Sequence, residues 1–240
     1  MILAIDAGNT RIKWGLHEES AWRARGISPT ADAAHIGMQW NAAPKGSVAI
    51  ASNVAGDEVA GHLGRAAAAL GLELRIIASV AEQLGVKNGY RVPAQLGTDR
   101  WAALIAAHRS MPGHKLVVNV GTALTIDALT GDGRFLGGLI VPGPALMRRS
   151  LDRGTAGLRL TEGAFEPFPA STPDAITSGA IQASVGAIER VRADMAANGA
   201  APIGLMLSGG GAMELAAYLP MPATFNENLV LDGLVAIALG

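Results

Sequence analysis

Two short stretches about half a chain apart share one pattern. LAIDAGNTRI begins at Leu3 and LVVNVGTALTI at Leu116. Each is an apolar run that stops at a polar residue, Asp6 or Asn119. One residue later comes a glycine, Gly8 or Gly121, then small hydroxyl or amide residues, then a second run. A short apolar run bounded by a glycine turn reads as a buried strand. The same strand, polar turn and strand at the head of each half predicts an internal duplication. One domain is expected over 1–114 and a second over 115–240.

The rest of the chain fills this frame. RIKWGLH (11–17) and AWRARGI (21–27) read as the next two strands, joined through the turn-like EESA. SVAIAS (47–52) is another strand, GDEVAGHLGRAAAALG (56–71) a helix with acids at its positive end, and LELRII (72–77) a strand. Strands followed by βαβ predict α/β architecture with a mostly parallel sheet. A helix is expected from Thr98, with Thr98 as its N-cap. KLVVNV and ALTIDALT flank Gly121 as strands. A tight turn, a strand, a Pro-Gly loop and a helix follow over 131–151. Residues 172–197 read as one long Ala- and Gly-rich helix, whose small residues permit close approach within the chain or between subunits. IGLMLS is a strand ending at GGGA, AMELAAYL (212–219) a helix, and 231–239 a final helix.

Composition narrows the function. Half of the residues are hydrophobic and 16% charged, with net charge −1 and no block of like charge. Such a chain lacks the basic surface of a protein that neutralises a nucleic-acid backbone. It has no cysteine, which excludes disulfides, zinc–thiolate sites and thiol catalysis. The five histidines are scattered without ligand spacing. No apolar run reaches membrane-span length. No basic region precedes the first apolar run, so it reads as a strand and not a signal peptide. A soluble cytoplasmic protein is expected.

An acid at the end of a buried strand needs compensation, because an unpaired buried charge is costly. The turn beside Asp6 carries Gly8, whose missing Cβ lets a ligand approach the main chain, and Asn9 and Thr10 as side-chain donors. Such a nest suits phosphate oxygens. Asp6 and phosphate are both anionic, so Asp6 belongs there if a magnesium ion or its waters lie between them. Alternatively, Asp6 only caps the turn. Gly121 and Thr122 repeat this hardware in the second half. The SGGGA turn, with Gly209 and Gly210, ends a strand before a helix and could take a nucleotide's phosphate or adenosine. The fingerprints of P-loop and dinucleotide-binding proteins are absent. A different kind of site is offered by YRVPAQLGTDRW. Asp99 lies in the first helical turn beside Arg100. It could be a general base with Arg100 holding an anionic substrate, or an ordinary acid favoured by the helix dipole.

Taken in order, DAGNT (6–10), YRVPAQLGTDR (90–100), NVGTALTID (119–127), GGLIVPG (137–143), STPDAITSGA (171–180) and SGGGA (208–212) resemble motifs of the type III pantothenate kinases. These belong to the acetate kinase, sugar kinase, Hsp70 and actin superfamily. The resemblance implies two duplicated RNase H-like (actin-like ATPase) domains with mixed sheets and ATP in the cleft between them. It implies ATP-dependent phosphorylation of the pantothenate hydroxyl, the first step toward coenzyme A. Carried over, Asp99 is the base. Asp6 sits on the magnesium side, through water, and Gly8, Asn9, Thr10, Lys13, Gly121, Thr122, Gly209 and Gly210 serve ATP. Tyr90, Gly97, Thr98, Arg100 and Thr172 serve pantothenate. The family is homodimeric, with the pantothenate site near the subunit interface, which suits the helix after Thr172. Its members need potassium or ammonium, held at an acid of the second phosphate motif. Here that position is Asn119, a departure that puts the monovalent cation in question. Two rivals are a sugar or acetate kinase of the same superfamily and a regulatory protein that has lost catalysis.

Overall fold

The computed structural model describes residues 1–155, 157–158 and 161–240. The chain forms two compact units, Met1–Ser110 with Asn228–Gly240, and Met111–Glu227. Residues 228–240, which the sequence division groups with the second half, therefore pack with the first.

In the first unit, β1 (Ile2–Ala7), β2 (Arg11–Glu18) and β3 (Ala21–Pro29) form an antiparallel meander. β4 (Val48–Asn53) adds parallel to β1, and β5 (Glu73–Ile76) parallel to β4, giving the order β3-β2-β1-β4-β5. The sheet is thus mixed and not mostly parallel. The meander needs only short turns, while the parallel strands require a crossover, supplied by α1 (Asp57–Ala69) between β4 and β5. Leu3, Ile5 and Ala7 of β1 and Ala49 and Ala51 of β4 form one core face. Val59, Leu63 and Ala67 of α1 pack into it at helical spacing. Residues 30–39, which carry no strong periodic signal, form a 3₁₀ helix that adds Ile36 to this core, with Trp40 following. A small hairpin of β6 (Glu82–Gln83) and β7 (Val86–Lys87) precedes α2 (Thr98–Ser110).

α2 is buried without a break from Arg100 to Ala107. A helix that is covered all round shows no amphipathic stripe. The terminal helix, Leu229–Leu239, is buried from Leu229 to Ile237 except at Asp232 and Ala236, and packs on α2. Gly233 lies against the Ala102 carbonyl, where a Cβ would collide with backbone. Thr98 is the first residue of α2 and not its cap. The Gly97 carbonyl takes the first helical bond, from the Trp101 N–H.

The second unit repeats the plan. β8 (His114–Val120), β9 (Ala123–Leu129) and β10 (Phe135–Pro142) form the meander, followed by α3 (Pro144–Gly154) and α4 (Thr172–Ala197). β11 (Ile203–Ser208) and β12 (Thr224–Phe225) continue parallel to β8, with α5 (Ala212–Ala216) between them. The order β10-β9-β8-β11-β12 matches the first sheet strand for strand, with β8 in the place of β1. α5 stops well short of the helix expected over 212–219. Ile181, Ile188 and Met195 of α4 cover Leu116, Val118 and Val120 of β8. Among the described residues no helix is long and apolar enough to cross a membrane.

Candidate active site

The carboxyl ends of β1 and β4 lie side by side, and each apolar row ends in a polar residue. Asp6 of β1 is in register with Ser52 of β4 and, on its other side, with Lys13 of β2. Beyond Asp6 the chain turns. The Gly8 N–H donates to the Arg11 carbonyl at 3.0 Å, and the Thr30 hydroxyl donates to the Gly8 carbonyl at 2.6 Å. Gly8 therefore supplies clearance and turn geometry, while its own N–H is already used. Asn9 and Thr10 are exposed at the tip. Thr30 buttresses this turn, and no local signal in the sequence points to it.

Asp99 stands at the start of α2 in the same unit. Its Oδ1 accepts the Arg100 N–H at 2.8 Å. Its carboxylate folds back over Gly97, where a Cβ would lie 2.6 Å from that oxygen. A side chain at residue 97 would thus displace the acid, which gives Gly97 a physical reason. The Thr98 hydroxyl is 2.9 Å from the hydroxyl of Ser52. The Arg100 guanidinium is buried, donates to the Tyr90 hydroxyl at 2.9 Å and lies 5.6 Å from that ring's centre. Tyr90 and Arg100, ten residues apart in the chain, thus form one contact.

The electrostatics tie the two acids together. Burial, and then the negative charge of Asp99, push the Asp6 carboxyl up to about 7, with Lys13 pulling it back. Burial also raises the Asp99 carboxyl, against the N–H and charge of Arg100. A buried carboxyl raised further by the charge of its neighbour Asp99, with Lys13 only partly offsetting it, fits a further cation at this place. No group of three or more His, Cys, Asp or Glu side chains that could cage a metal occurs among the described residues. That donor set suits an ion held mainly by water and phosphate.

In the second unit the Gly121 N–H donates to the Ala123 carbonyl at 3.0 Å, closing a turn one residue shorter than that after β1. Gly143 closes on this turn: its N–H donates to the Thr122 carbonyl at 2.9 Å, and a Cβ there would strike the Gly121 carbonyl. The sequence reading took Pro142-Gly143 only as a loop. Gly209, at φ 94°, packs against Asn119, and a Cβ there would lie 2.5 Å from the Asn119 Oδ1. The Gly211 N–H donates to Val120. Asn119, Gly121, Thr122 and the Gly209–Gly210 turn are therefore one cluster. With only five residues, α5 adds little helix-end field to it. Thr172 opens α4 behind a Ser171 cap, whose oxygen accepts the Asp174 N–H. A concavity of about 520 Å³ lies at the other end of this sheet, among His114, Arg134, Leu136, Val191 and Asn198, and none of the candidate residues lines it.

A family model described as Type III pantothenate kinase matches residues 2–194. The chain is 43% identical over 238 residues to a Type III pantothenate kinase of Nitrosospira multiformis, covering 99% of this chain and 91% of that one. It is 44% identical over 238 residues to that of Aromatoleum aromaticum, covering 99% and 98%. Among solved structures, one described as a Baf family transcriptional activator from Campylobacter jejuni superposes with a TM-score of 0.64 at 22% identity, covering 99% and 97%. One described as a 2-dehydro-3-deoxygalactonokinase from Sinorhizobium meliloti gives 0.63 at 19%, covering 99% and 96%. At those identities the structures speak for the fold alone, the duplicated RNase H-like plan of the sugar kinases and actin-like ATPases.

Proposed function

The chain belongs to the type III pantothenate kinases, and from that premise we propose how its own residues carry the reaction. It is a kinase that phosphorylates pantothenate with ATP and a divalent metal ion, the first step toward coenzyme A. Asp99 is the general base. It takes the proton of the primary hydroxyl as that oxygen bonds to the γ-phosphorus of ATP and the bond to the β-phosphate oxygen breaks, releasing ADP. The observation behind this reading is the placement of Asp99: a raised carboxylate held over Gly97 at a helix start, beside a second acid, Asp6. A raised carboxylate is a better proton acceptor near neutral pH. Asp6 would hold a magnesium ion, which would supply positive charge to offset that on the phosphates. Lys13, Asn9 and Thr10 serve the phosphates from the first unit. Gly121, Thr122, Gly209 and Gly210 serve ATP from the second. Tyr90, Gly97, Thr98, Arg100 and Thr172 serve pantothenate. A cytoplasmic location is part of the same reading. An ADP-release assay with pantothenate beside glucose and acetate tests it. Turnover with glucose or acetate, and none with pantothenate, would return the chain to the sugar or acetate kinases.

Arg100 is assigned to the carboxylate of pantothenate, with Tyr90 orienting the guanidinium. Arg100→Ala should raise the Michaelis constant for pantothenate, leaving that for ATP within about twofold. A lost charge-assisted bond of ~1.5–3 kcal/mol corresponds to roughly 10- to 150-fold. Unchanged pantothenate affinity removes the assignment.

The homodimer is carried by the outer face of α4. Ala175, Gly179, Ala183 and Gly186 are exposed there, and a Cβ at either glycine would meet nothing. Sedimentation at micromolar concentration should give a dimer. A stable, fully active monomer would falsify the shared-site picture.

Asn119 offers one neutral carbonyl oxygen in place of a carboxylate, and that oxygen already faces Gly209. Turnover should depend little on potassium or ammonium. A tenfold rise when potassium is titrated into a Tris chloride buffer overturns this, and Asn119→Asp should strengthen the response.

A further inference from the structure

We infer that Ser52 is a positioning residue for catalysis, its hydroxyl anchoring the start of α2 so that Asp99 stands at a set distance from Asp6. This rests on the assignment of Asp99 as the base.

Ser52 is fully buried at the last turn of an otherwise apolar row, and a buried hydroxyl needs a partner. Its hydrogen bond is to the Thr98 hydroxyl at 2.9 Å, and Thr98 immediately precedes Asp99. On its other side Ser52 is in strand register with Asp6. One side chain therefore connects the strand pair that carries the first acid to the helix start that carries the second. The other restraints on Asp99 act on different degrees of freedom. Gly97 and the Arg100 N–H set the direction of the carboxylate. Gly233 against Ala102 sets how closely the middle of α2 approaches the terminal helix. Neither fixes where the first turn of α2 lies along β4; the Ser52–Thr98 bond does, while the buried Ser79 hydroxyl, donating to the Leu96 carbonyl at 2.8 Å, holds the segment just before it. A reacting group displaced by about 1 Å can cost on the order of 10²-fold in rate. The same logic that singles out Asp6, a polar residue ending a buried strand, applies to Ser52 in SVAIAS.

The test is a set of kcat measurements with saturating ATP and pantothenate, each variant being checked by thermal melting. Ser52→Ala should lower kcat by roughly 5- to 50-fold and leave the Michaelis constant for ATP within about twofold, as one neutral hydrogen bond plus a small displacement predicts. Thr98→Val, which also touches the pantothenate side, should lower kcat at least as much, and Ser52→Ala with Thr98→Val should be no worse than Thr98→Val alone. Added to Asp99→Asn, Ser52→Ala should have no further effect, because it acts through that carboxylate. A merely structural role would lower the melting temperature and multiply with Asp99→Asn. If Ser52→Ala does not fold, Ser52→Cys, which keeps the size but offers only a weak donor, takes its place. The inference is overturned if Ser52→Ala or Thr98→Val keeps more than half of kcat, or if the effects multiply. If Asp99→Asn itself stays active, the base assignment fails instead, and the two failures are told apart.

Discussion

Asp99→Asn should lose nearly all turnover while the protein still folds and binds ATP. Removing a general base typically lowers rate by ~10²–10⁴-fold. The substitution is close to isosteric, and Asn Oδ1 can still accept the Arg100 N–H that Asp99 accepts now. The space over Gly97 stays filled in the same way. What changes is the capacity to take a proton. The expected pattern is a collapse of kcat with ATP affinity, read by equilibrium binding, held within a few-fold. A variant that keeps more than a tenth of wild-type turnover removes Asp99 from the base role.

Asp6→Asn is the second large effect, with two readouts of opposite sign. Turnover should fall by ~10²–10³-fold, as when a group that organises transition-state charge is removed. Stability without metal or nucleotide should rise. The folded carboxyl sits near 7 against 3.8 for a free one, because of burial and then Asp99. Below pH 3.8 both states hold the proton and Asp6 contributes nothing. Between 3.8 and 7 the unfolded chain ionises while the folded one keeps its proton, so wild-type stability falls as pH rises through that window. Above 7 the full penalty is present. An amide carries no such penalty. Relative to wild type, Asp6→Asn should be about equally stable near pH 4 and more stable at pH 8. A discounted difference of roughly 1–3 kcal/mol amounts to a few degrees in melting temperature. Added magnesium–ATP should narrow the gap, since a bound cation offsets the charge in the wild-type protein alone. A pH-independent difference between the two proteins, or an active variant, sinks the assignment.

Both predictions turn on one relation that residue order does not show. Asp6 and Asp99 are 93 residues apart in the chain, and the effect of the Asp99 charge on Asp6 is visible only once α2 is laid against β4. The local half of the site is legible. DAGNT and NVGTA are strand-end turns whose glycines follow from the chemistry of tight turns, and both form as expected. The matching strand orders of the two sheets bear out the duplication that the two stretches predict. The nest reading needed correcting, because the Gly8 and Gly121 N–H groups close their own turns.

What the sequence by itself determined was the family, through motifs that resemble it in order, and the strands with their polar ends and their repetition, which rest on periodicity and on short-range turn chemistry. What only the tertiary structure decided was support. Thr30 under the first turn, Gly143 over the second, Gly209 against Asn119 and Ser52 against Thr98 are each a contact between elements far apart in the chain. The terminal helix belongs to the first unit for the same reason: its covered surface and Gly233 match α2, a fit of shape that no period records. Periodicity reports which face of an element is covered. It does not report by what, and the neighbours that hold a reactive carboxylate in place are set by that second fact.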